Sequence, residues 1–114
     1  MRTLMILLFL TLAGLLVAQP KAQTFTGVIT DTMCGADHAH MGISPDDKCV
    51  RECVRTSKGK FKYALWDAGA KKMYVLSDQQ TPEKFAAQKV VVKGTLYEKT
   101  GILKVDSITT AGGA

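Results

Sequence analysis

The side chains best suited to chemistry sit close together in the chain. They are the three cysteines, Cys34, Cys49 and Cys53, and the two histidines, His38 and His40. Thiolate, imidazole and thioether are the soft and borderline donors that zinc and copper prefer. Cys34-x3-His38-x-His40-Met41 reads as a loop, and Cys49-x3-Cys53 as one side of the helix behind it. Sulfurs at i and i+4 share a helix face, so a loop returning over that face can add a third sulfur and an imidazole. The result is a closed Cys3His set of Cys34, His38, Cys49 and Cys53, with His40 in reserve. Met41 is a further candidate for cuprous ion, whereas Met33 is expected to pack at a strand end.

A second arrangement uses the same residues without metal. Cys34 bonds to Cys49 or Cys53 as a disulfide, the remaining cysteine is a small buried residue, and the histidines are solvated. A Cys49–Cys53 bridge within one helical turn lies near the upper limit of disulfide geometry. The odd number of cysteines suits the metal arrangement, and an oxidising compartment suits the disulfide. Residue types and spacing leave both open.

Other chemistry is weakly represented. The chain has no His-Glu-x-x-His, Gly-x-Ser-x-Gly, phosphate loop, dinucleotide fingerprint or haem-attaching Cys-x-x-Cys-His, so a non-catalytic protein is expected. The formal charge is +5, a mild excess. Its basic stretch, Lys48, Arg51, Arg55, Lys58, Lys60 and Lys62, contains the candidate partner-binding residues Arg51, Arg55, Lys58 and Lys60, which could take an anionic or protein partner. Solvation of an outer helix face explains the same charges, and nothing specific indicates nucleic acid. Phe61, Tyr63 and Leu65 alternate as a barrel face does, rather than as a base-stacking platform.

The elements that must position these residues are short. Thr24–Thr32, rich in β-branched residues, predicts a first strand. Ser44 as N-cap, Pro45 at the first helical position, and Asp46 and Asp47 in the first turn predict a helix to about Arg55. Tyr63–Asp67 and Met73–Ser77 predict a hairpin, and Thr81-Pro82-Glu83 starts a second short helix. A last hairpin joins Val90–Leu96 to Ile102–Ile108 around Lys99-Thr100-Gly101. The expected fold is all-β with two short helices, a five-stranded OB-like barrel. Val28, Leu65, Val75, Val90, Val92, Leu96, Leu103 and Val105 are expected inside.

Met1-Arg2 followed by an apolar run to Ala18 and polar Gln19-Pro20-Lys21 has the order of a secretory signal. Residues 1–22 are therefore expected to be the signal peptide, 23–110 the barrel domain and 111–114 a frayed tail. The mature protein would be secreted or periplasmic, without stable membrane insertion. Thr81-Pro82-Glu83-Lys84-Phe85-Ala86, then Lys89–Leu96 and Lys104–Ile108, resemble the second half of secreted bacterial OB-fold proteins. Gly27-Val28-Ile29-Thr30-Asp31-Thr32-Met33-Cys34-Gly35 with the later Cys49-x3-Cys53 is similar to a family of small exported bacterial proteins of unknown function. That resemblance implies an architecture and a compartment and carries no chemistry.

Overall fold

The computed structural model describes residue 14, residues 21–37 and residues 45–112. The expected signal peptide falls almost wholly outside the described residues, as do His38, His40, Met41 and Ser44. No described helix is long and apolar enough to cross a membrane.

Five strands form the body: β1 Gln23–Asp31, β2 Tyr63–Asp67, β3 Lys72–Leu76, β4 Lys89–Tyr97 and β5 Ile102–Thr110. They close into a ring in the order β1-β2-β3-β5-β4, with β4 returning to β1. Every pairing is antiparallel except β3–β5, which is parallel over Val75–Ile102 and Leu76–Leu103. The ring is closed at the β3–β5 seam by those two residue pairs alone. Asp106 is an extra residue in β5, since Lys93 faces Ser107 while Gly94 faces Val105. This bulge lets Leu103 and Val105 on one side of it, and Ile108 on the other, all pack towards the core.

Ile29, Tyr63, Leu65, Tyr74, Leu76, Val90, Val92 and Leu103 fill the ring. Leu65, Val90, Val92 and Leu103 are buried as expected, and Leu96 and Val105 pack half-buried against them. Val28 and Val75 are corrections. Both are only half-buried, because Ile29 in β1 and Tyr74 and Leu76 in β3 take the inward positions. Strand side chains alternate faces, so the inward set of β1 is Phe25, Gly27, Ile29 and Asp31. Gly27 helps to impose that parity, since a Cβ there would stand 2.3 Å from the Trp66 carbonyl oxygen.

Among the described residues there is one α-helix, α1, over Asp46–Thr56. The second expected helix is a single 3-10 segment, Thr81–Phe85, ended by Ala86 turning extended to bridge Ile29. Pro45 is the N-cap of α1 (φ −75°, ψ 173°) rather than its first helical residue. Its extended ψ is incompatible with an α turn but suits the flanking position. Asp46 and Asp47 occupy the first turn, where the positive end of the helix dipole favours them. Val50 and half-buried Val54 close over the core, while Cys49 and Cys53 are turned towards the β1–α1 loop.

Candidate metal centre

The site begins with Asp31, the last residue of β1, whose side chain is wholly buried. Its Oδ1 accepts the backbone N–H groups of Met33 at 2.9 Å and Cys34 at 2.8 Å. A short acidic side chain that caps the following amides fixes a turn. Two further bonds brace it: Gly35 N–H donates to the Asp31 carbonyl at 3.0 Å, and Thr30 Oγ1 donates to the Gly35 carbonyl at 2.6 Å. Gly35 sits at φ +58°, a left-handed conformation that glycine adopts without steric cost. Cys34 is thereby directed at α1 by backbone geometry, and only 7% of its surface is exposed.

On α1, Cys49 is fully buried and Cys53 is 6% exposed, and both face Cys34. The Cys34 sulfur lies 3.9 Å from that of Cys49 and 3.7 Å from that of Cys53, and all three are within 4.8 Å of one another. Tetrahedral geometry with zinc–sulfur bonds of about 2.3 Å places two sulfurs about 3.8 Å apart. The Cys34–Cys49 and Cys34–Cys53 separations match that figure. They are far beyond the disulfide bond length of about 2.05 Å, and all three cysteines are free thiols. The expected Cys34–Cys49 or Cys34–Cys53 disulfide is therefore not formed. The sulfurs form a compact triangle with an acute angle at Cys34, so one ion can touch all three. An in-line relay of disulfide exchange would need them nearly collinear.

Burial pushes the Cys34 thiol well above its ordinary range, helped by its contact with Cys53 and by the negative charge of Asp31. Burial also raises Cys53, although its contact with Cys34 opposes the rise. Without an ion these two sulfurs hold their protons at neutral pH. A cation reverses the preference, because it replaces the protons and compensates the buried negative charge.

Of the expected metal ligands, the structure brings together Cys34, Cys49 and Cys53; His38 and His40 lie outside the described residues. Spacing alone missed Asp31, which positions the loop sulfur. An aspartate shortly before a Cys-Gly pair is a turn signal of its own.

The candidate partner residues divide. Arg51 donates through Nε to the Glu83 carbonyl at 3.0 Å and through Nη1 to Asp47 at 2.6 Å. Arg55 pairs with the Glu83 carboxylate. Together they tie α1 to the 3-10 segment and so hold two of the three sulfurs against the ring. Lys58 and Lys60 stay exposed beyond the helix, where Lys58 and Gly59 turn the chain at positive φ. Solvation of the helix face would leave Arg51→Gln within about half a kcal/mol. The half-buried clamp, with Arg51 at 28% side-chain exposure, makes the expected loss about 1 kcal/mol, read from the denaturation midpoint at unchanged slope.

No protein-family model, curated protein or solved structure matches the chain.

Proposed function

We propose that this is a small exported OB-like protein that binds one soft metal ion, zinc or copper, through Cys34, Cys49 and Cys53, with a structural rather than catalytic role for the ion. The observation that carries the reading is the triangle of three buried free sulfurs at ligand spacing. His38, four residues beyond Cys34, is the proposed fourth ligand, with His40 as its alternate. A fourth protein ligand makes the site closed, as structural zinc sites are. The OB-like assignment is supported by a five-stranded ring with one parallel pairing, β3–β5. Export rests on the apolar run with its charged start, residues 1–22 being the proposed signal and 23–110 the working domain.

The test is metal content and free-thiol count on the same purified protein. One ion per chain, with all thiols shielded from alkylation until a chelator is added, supports the reading. A disulfide recovered without metal from the exported fraction refutes it.

The pH dependence has a definite sign. Cys34 and Cys53 are raised above the ordinary thiol value of 9.0. In the metal-free protein their stabilising contribution is therefore fully present below about pH 9 and is lost as pH climbs beyond it. Ion binding runs the other way, since the same two thiols must release their protons. At neutral pH at least two protons should leave per ion bound, measured by calorimetry in buffers of different ionisation enthalpy. Release of fewer than one proton per ion would mean that thiolates are not the ligands.

A further inference from the structure

Asp31 has a role beyond shaping the Cys34 turn. Its carboxylate is wholly buried. It is anchored by Oδ1 to the amide of Cys34 itself, so its charge lies beside the sulfur triangle. Charge then separates the two soft ions that the sulfurs could take. Three thiolates around Zn2+ leave one net negative charge, and around Cu+ they leave two. Beside a buried carboxylate the second arrangement carries more like charge, in a place where water screens little. A neutral imidazole in the fourth position leaves the difference unchanged.

We propose that Asp31 is a specificity-determining residue, biasing the Cys34–Cys49–Cys53 site towards a dication of the zinc class over monovalent copper. This rests on the metal-binding reading above and names the ion class of the same site. The carboxylate interacts with a doubly charged ion about twice as strongly as with a singly charged one at the same position. Its influence on the thiols is common to both ions when each takes all three sulfurs, so it cancels in the ratio of their affinities. At about 6 Å and an effective dielectric of about 20, one unit of ionic charge changes that ratio on the order of a hundredfold.

The decisive variant is Asp31→Asn, which removes the charge while its amide oxygen can still accept the Met33 and Cys34 amides. Zinc and cuprous ion are each titrated into wild type and variant against chromophoric chelators of known affinity, the copper under strict exclusion of oxygen. The expected result is a fall in the zinc-to-copper affinity ratio of at least tenfold. Asp31→Ser, with an uncharged acceptor on a shorter side chain, should shift the ratio the same way and serves if Asn does not fold. An unchanged ratio, with both ions weakened alike or unaffected, would reduce Asp31 to a structural residue and leave the metal site standing. Failure of wild type to bind either ion stoichiometrically would overturn the site and the inference together.

Discussion

Cys49→Ser should abolish ion binding and remove the stability that the ion confers. Cys49 has no exposed surface and sits at one corner of the sulfur triangle, so the variant leaves two thiols, a poor donor oxygen and no closed set. Because an ion that binds only the folded state stabilises it by mass action, wild type held at free zinc a thousandfold above Kd should gain about 4 kcal/mol. At about 4–8 °C per kcal/mol for a domain of this size, the melting temperature should rise by roughly 15–30 °C on loading. The serine variant should show no such rise. Burying a hydroxyl where a thiol sat adds a metal-independent loss of about 1–2 kcal/mol. Treating wild type with a chelator should reproduce the first loss alone. Thermal melts of both proteins with zinc and with chelator separate the two terms, and equal zinc shifts in both would exclude Cys49 as a ligand.

Gly94→Ala should be comparably damaging for an unrelated reason. A Cβ at Gly94 would stand 2.1 Å from the Lys104 carbonyl oxygen and 3.1 Å from its carbonyl carbon. Both are backbone atoms held in the β4–β5 ladder beside the Asp106 bulge, so no side-chain rotation relieves the clash. The strands must separate or the bulge must move, and either costs about 3 kcal/mol or more. Gly69→Ala is the matched control, since its Cβ would meet only the Asp67 side-chain oxygen at 3.4 Å. Chemical denaturation should place Gly69→Ala close to wild type and Gly94→Ala well below it. At low temperature the folded fraction of Gly94→Ala should still bind one ion per chain, which distinguishes ring strain from damage to the sulfur site.

Much of this was legible in local patterns, and what was not depended on contacts distant in sequence. The i, i+4 spacing of Cys49 and Cys53 is a rigid property of a helix, so their shared face followed once Asp46 and Asp47 marked its start. Val28-Ile29 is an adjacent apolar pair in which either residue could point inward. Close approach of Gly27 to Trp66, on a strand far along the chain, helps to settle it in favour of Ile29. The sulfurs could be read as either a disulfide or an ion site, because that choice turns on separations set by the Asp31 turn. Arg51 and Arg55 looked like helix-surface cations because Glu83, which receives both, lies some thirty residues away, |i−j| being 32 and 28. Pro45 was displaced by one position, from the first helical residue to the cap, a common scale of error at helix ends.

The most direct test of the central claim is X-ray absorption at the zinc edge on protein loaded with one equivalent of zinc. Three sulfur neighbours at about 2.3 Å and one nitrogen neighbour at about 2.0–2.1 Å are expected. A first shell of oxygen and nitrogen alone would contradict the claim, because it would place the ion away from Cys34, Cys49 and Cys53.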